Sequence, residues 1–264
     1  MFPDPFFHLY GLPINGYLIA MAVAYLLFLL LALVLGRERG LPFSLTLDAA
    51  LLGSGLSLVV GAGIVVALRA TILEDLGGSW SFAQIAVLPC VLALYFSRHP
   101  ATRSRVLSSL DIFVPPLLLA QTVIRIGCFS AGCCHGKPAW GVPWAIVVDD
   151  PLSATLYRGI PVHPTQLYQI IANLLALAVV LALRQRPRWQ GTLLWVYLLL
   201  YGFGRFVVEF YRGDPRPMLG PLSLNQAVCL LFIAVGSAGL RGWLSARLWS
   251  NLGQRLWLMP QRGG

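Results

Sequence analysis

The stretch VIRIGCFSAGCCHGKP, residues 123–138, closes a long apolar run and carries an arginine, three cysteines and a histidine within eleven residues. A charge held near the centre of a bilayer costs at least about 2.5 kcal/mol on insertion scales. If the run crosses a membrane, something must offset that cost, and function is the expected offset.

The rest of the chain answers the conditional. It is 58% hydrophobic and only 11% charged, against roughly 25% charged in soluble domains. Seven apolar runs, near 13–35, 46–69, 81–97, 108–127, 164–183, 191–211 and 221–240, approach the length that spans hydrocarbon. They leave no room for a soluble domain. The expected fold is therefore an all-α integral membrane protein of about seven transmembrane helices, with one membrane domain over residues 1–240.

The net charge of +9 would suit nucleic acid, but its placement argues against that partner. Twelve of the 19 basic residues fall after the first, third, fifth and seventh runs: Arg37 and Arg39; Arg98, Arg103 and Arg105; Arg184, Arg186 and Arg188; Arg241, Arg247, Arg255 and Arg262. Basic loops stay cytoplasmic. The N-terminus is then outside, with Glu74, Asp75, Asp149 and Asp150, and the C-terminus is cytoplasmic. The first run is too long for a signal-peptide core and has no basic segment before it. The tail 241–264 spaces Trp243, Leu244, Leu248, Trp249, Leu252, Leu256 and Trp257 as a helix does, with arginines between them. This pattern suits a basic amphipathic helix on the inner leaflet.

The connection 128–163 is the longest, on the outer side, and Gly132, Gly136, Pro138, Gly141 and Pro143 turn it repeatedly. Within it, WAIVV reads either as a short strand or as an interfacial segment.

Three polar groups gather at the outer ends of the runs. One is Arg125. The second is VHPTQLY, with His163, Gln166 and Tyr168. The third is YGFGRFVVEFYRGD, in which Arg205, Glu209 and Arg212 share one helix face. Two arginines inside the membrane with one carboxylate leave positive charge for an anion, and the planar guanidinium fits phosphate. In a membrane the abundant phosphate ester is a lipid headgroup. Glu209 either orients Arg205 or accepts a proton; His163 reads as a general base, an orienting residue or a helix-start residue. Cys128, Cys133, Cys134 and His135 lack the second ligand pair of a zinc motif. A disulfide between Cys128 and Cys133 or Cys134, or three small buried thiols, stay open. Cys90 and Cys229 read as buried apolar residues. No metal and no cofactor is expected.

These residues resemble the prolipoprotein diacylglyceryl transferase family. Ile124-Arg125-Ile126-Gly127-Cys128-Phe129 follows the family's Gly-Arg-x-Gly-Asn-Phe, with Gly136 at its closing glycine. HPTQLYQ, residues 163–169, follows HPSQLYE, and Tyr201 to Arg212 follows YGxxRxxxEFxR. Tyr17 echoes a Tyr-Gly of the first span. The resemblance implies transfer of the diacylglyceryl group of phosphatidylglycerol to the lipobox cysteine of prolipoproteins, at the outer face of a bacterial inner membrane. Residues 1–240 would be the transferase domain. Arg205, Glu209 and His163 would be catalytic, and Arg125, Tyr17, Gly136, Gln166, Tyr168 and Arg212 would bind substrate. The implied partners are phosphatidylglycerol, prolipoprotein signal peptides and membrane lipids.

Four departures accompany the resemblance. Ser81-Phe82-Ala83-Gln84-Ile85 stands where the family has a His-Gly-Gly stretch, Ala62 near an expected arginine, Cys133 at an acidic position and Gln169 at a glutamate. They imply a divergent member, and as the alternative a paralogue of the same fold with another acceptor or a lipid-binding role.

Overall fold

A computed structural model describes residues 7–9, 12–71, 80–153 and 155–242. The expected amphipathic tail from 243, and Glu74 and Asp75, lie outside the described residues, as do the side chains of Ser81–Ile85.

The described chain is mostly helical: α1 Gly16–Glu38, α2 Phe43–Thr71, α3 Trp80–Arg98, α4 Val106–Leu110, α5 Val114–Ala131, α6 Thr165–Arg184, α7 Leu193–Glu209 and α8 Leu224–Leu240. Each expected apolar run coincides with a helix or a helical stretch. Four of these, Gly16–Glu38, Phe43–Ile64, Val106–Ala131 and Thr165–Arg184, are long and apolar enough to cross a membrane.

The fourth run is the least regular. A 3-10 turn, Asp111–Phe113, separates α4 from α5. Pro115 and Pro116 follow it at the start of α5, where missing N–H groups cost no helical bond. By contrast α3 runs through Pro89 without a break.

Helix α7 packs along α8, α1 along α5, α5 along α6 and α2 along α3. The apolar core joins Phe28, Phe96, Phe113, Leu118, Tyr197 and Phe232 from five different helices and the 3-10 turn. Glycines allow the closest approach. A Cβ on Gly236 would meet the backbone of α7 at 2.7 Å from the Trp195 carbonyl. Leu26, Val59, Leu175 and Leu231 remain exposed on the outside of the bundle, where hydrocarbon rather than water suits them.

Three small hairpins complete the fold: Phe7–Leu9 (β1) with Leu12–Ile14 (β2), Ile146–Val147 (β3) with Pro161–Val162 (β4), and Met218–Leu219 (β5) with Leu222–Ser223 (β6). The WAIVV segment thus takes the strand alternative. Cys229 is buried as expected, but Cys90 is exposed. Its position on α3 looks away from the core, so it is not the buried apolar residue read from its span.

Candidate active site

The site grows from one face of α7. Tyr201, Arg205 and Glu209 lie at four-residue spacing, and all three are buried. The Glu209 side chain is fully enclosed and four donors converge on it. Arg205 Nη2 lies 2.8 Å away, and Arg216 Nη1 forms a second ion pair. Asn225 Nδ2 donates at 2.9 Å and Ser223 Oγ at 3.2 Å. Ser223 is also the N-cap of α8, in a reciprocal capping box with Gln226. The positive end of the α8 dipole therefore faces the carboxylate as well.

Beyond α7 the chain turns back on itself. Arg212 grips Asp214 through Nε at 2.7 Å and through Nη2. Arg216 Nη2 donates to the Arg212 carbonyl at 2.7 Å and its Nε to the Asp214 carbonyl at 3.0 Å. Arg216 so ties the turn to Glu209.

Arg125 comes from the last two turns of α5. Its Nη1 lies 3.5 Å from Cys134 Sγ and 3.9 Å from Cys128 Sγ, and Tyr201 is within its electrostatic reach. No carboxylate pairs with it among the described residues. Tyr17 of α1 is within electrostatic reach of Arg125 and of the three thiols. Across this cluster four guanidiniums, Arg125, Arg205, Arg212 and Arg216, meet two carboxylates among the described residues, Glu209 and Asp214. Guanidiniums thus exceed carboxylates by two among the described residues, in a largely buried place.

The HPTQLY segment divides between two tasks. Thr165 Oγ1 donates to the Cys134 carbonyl at 2.6 Å and Gln166 Nε2 to the Cys133 carbonyl at 2.7 Å. These residues fix the cysteine turn beside Arg125. His163 and Tyr168 lie elsewhere. His163 Nδ1 meets the Tyr168 hydroxyl at 3.1 Å, Trp144 Nε1 donates to the same hydroxyl at 2.7 Å, and Tyr211 stands edge-on to the imidazole. Partial burial lowers the His163 pKa from its ordinary value, so the ring is neutral at pH 7. These four residues rim a groove of about 580 Å³ between α6 and α7, walled by Leu175, Val179, Phe203 and Val207. The groove uses the opposite face of α7 from Arg205, so His163 does not share a cluster with Arg205 and Glu209.

Gly136 is placed by the backbone. Its N–H donates to the His163 carbonyl at 3.1 Å, and the Gly213 N–H donates to the His135 carbonyl at 3.0 Å. A Cβ on Gly136 would strike the His163 carbonyl, and one on Gly213 the Gly136 carbonyl. The two glycines let three segments, 135–138, 161–163 and 211–213, close into one clasp over the site. His135 is buried and looks away from the thiols: its Nε2 accepts from the Leu156 N–H at 3.3 Å. The thiol sulfurs of Cys128, Cys133 and Cys134 lie within 4.8 Å of one another, and all three are free. They are the one group of three potential soft ligands among the described residues, but a guanidinium already donates into it.

Arg216, Ser223 and Asn225 escaped the sequence reading. The SLNQ capping-box spacing of Ser223 and Gln226 is a legible helix start. Its role under Glu209 is not legible, because it needs the 210–222 turn.

The family profile described as prolipoprotein diacylglyceryl transferase matches residues 5–241. A phosphatidylglycerol–prolipoprotein diacylglyceryl transferase of Clostridium tetani is 31% identical over 237 residues, 87% of this chain and 93% of that protein. One from Clostridioides difficile is 27% identical, over 94% of this chain and 98% of its own length. One from Thermosynechococcus vestitus is 39% identical over 137 residues, about half of each chain.

Proposed function

This chain belongs to the prolipoprotein diacylglyceryl transferase family, and on that premise we propose how its charge cluster carries the reaction. The protein is a transferase that moves the diacylglyceryl group of phosphatidylglycerol to prolipoprotein. One observation carries the assignment of residues: among the described residues, the four guanidiniums of Arg125, Arg205, Arg212 and Arg216 outnumber the carboxylates of Glu209 and Asp214 by two. A phosphodiester brings the charge and the planar oxygens that guanidinium recognises.

Arg125 and Arg205 hold the lipid phosphate. The acceptor sulfur attacks the glyceryl carbon that bears the phosphate. The carbon–oxygen bond breaks, its electron pair passes to the phosphate ester oxygen, and glycerol phosphate leaves. Charge grows on that oxygen, and fixed guanidiniums oppose it without reorganising. Glu209 holds Arg205 and Arg216 in place. Its Oε1 meets Arg216, Ser223 and Asn225 and its Oε2 pairs with Arg205, so its part is to position the arginines. His163, neutral and bonded to Tyr168, orders the rim of the apolar groove.

All seven long helices cross a bacterial inner membrane, with the N-terminus outside. The site then lies at the outer headgroup level, where an exported signal peptide presents its lipobox thiol. Arg125→Ala tests the assignment in a transfer assay with phosphatidylglycerol and a lipobox peptide. Turnover should fall at least about a hundredfold with the fold intact; normal turnover removes Arg125 from the clamp. Impermeant thiol labelling, in a background without native cysteines, tests the topology. D149C should label in intact cells and R186C only after lysis.

A further inference from the structure

The thiol turn beside Arg125 has a defined local origin. Helix α5 ends in a Schellman motif, with Gly132 left-handed at φ 67°. The Cys133 N–H bonds the Cys128 carbonyl at 3.2 Å and the Gly132 N–H bonds that of Phe129 at 3.2 Å. This motif brings the residues five apart, here Cys128 and Cys133, into side-chain contact. Cys134 then takes φ 59°, the only non-glycine at positive φ among the described residues. That second left-handed step swings a third sulfur back toward Arg125, to 3.5 Å from Nη1. Thr165 and Gln166 hold the turn by its carbonyls.

The transfer needs a group that takes the acceptor's thiol proton. Glu209 is committed to ion pairs with Arg205 and Arg216, and Asp214 is gripped by Arg212. His135 and His163 point into other contacts. Among the described residues, the three thiols are what the cluster has left. Resting on the function proposed above, we infer that Cys134 is a thiolate and the catalytic base that takes the proton from the acceptor thiol.

The groups facing Cys134 are Arg125 and Cys128 of α5, Cys133 beside it, Arg212 after α7 and Tyr17 of α1. The neighbouring Cys128 and Cys133 thiols, then Arg212 and Arg125, hold the Cys134 thiol well below the ordinary thiol range, against burial. A guanidinium neighbourhood is where thiolates form. Among the described residues, one thiolate and one phosphodiester balance the excess of two guanidiniums over carboxylates. In the step, the acceptor S–H proton moves to Cys134 Sγ as the acceptor sulfur bonds the glyceryl carbon. The glycerol phosphate dianion takes that proton as it leaves, and the Cys134 thiolate is restored.

The test uses the full chain in phosphatidylglycerol-containing nanodiscs. Cys134→Ser removes the base, and Cys134→Gly removes it while suiting the left-handed backbone. Both should lower kcat about 10²- to 10³-fold at pH 7, with KM for phosphatidylglycerol unchanged. The deficit should shrink toward pH 9.5, as an acceptor thiol of pKa about 8.5 ionises unaided. Independently, iodoacetamide at pH 6 should alkylate Cys134 faster than Cys133. A normal kcat, a deficit equal at every pH or a raised KM in both Cys134 variants overturns the inference. Alkylation at pH 6 no faster than at Cys133 also overturns it. Wild-type protein inactive on the lipobox peptide would sink the proposed function instead, and the alkylation arm would still judge the thiolate.

Discussion

Two buried carboxylates bracket α7, and they do different work. At its start, Asp111 accepts the backbone N–H of Gly191 at 2.5 Å and of Leu194 at 3.2 Å. At its end, Glu209 faces the guanidiniums of Arg205 and Arg216 with Asn225 and Ser223. Both are nearly inaccessible. Asp111 is satisfied by amides that have no other task, and it complements the positive end of the helix dipole. Glu209 is paired with side chains that bring more positive charge than it can cancel. The lesson is that burial does not mark a site. What marks it is the charge left over after the buried group has been paired.

Substitutions at the two ends should separate these roles. The largest effect is expected at Arg205, which removes charge from the surplus itself. Arg205→Ala should lower transfer about a thousandfold, and Arg205→Lys should recover little, because a point charge lacks the fork. Turnover near normal in Arg205→Ala would erase the contrast. Glu209→Gln should follow, with about a hundredfold loss and a clearly lower melting temperature, since it strands two buried guanidiniums without their counter-charge. A Glu209→Gln protein with unchanged melting would mean that the arginines do not depend on it.

His163→Gln should cost only a few-fold in rate through a loosened Tyr168. Burial lowers the pKa of His163, so protonation begins below the ordinary range near 6.5 and the ring stays neutral as pH rises from 6.5 to 8. The shape of the wild-type pH–rate curve over that window should therefore survive the substitution. Loss of a limb from the curve would restore His163 as a base. Asp111→Asn should change the rate least. It should cost stability by about 1–3 kcal/mol, read by thermal unfolding in detergent, with kcat within twofold of wild type. A collapse of kcat with normal stability would show that the two ends of α7 are not distinct.

The sequence by itself determined the helical plan and the principal arginines. Long apolar runs must satisfy their backbone within themselves, so each folds as a helix whatever surrounds it. Charges inside such runs stand out because they are costly there, which made Arg125, Arg205 and Glu209 legible before any contact was known. Tertiary structure alone decided how the charges pair. Arg216 and Asn225 reach Glu209 only because the 210–222 turn folds the start of α8 under the end of α7. His163 is set on the groove between α6 and α7 with Tyr168 and Tyr211. Cys134 was carried beside Arg125 by a left-handed backbone step that residue spacing does not announce. Helix formation is local and repeats along the chain. The charge balance of a site depends on distances between segments, which only packing sets.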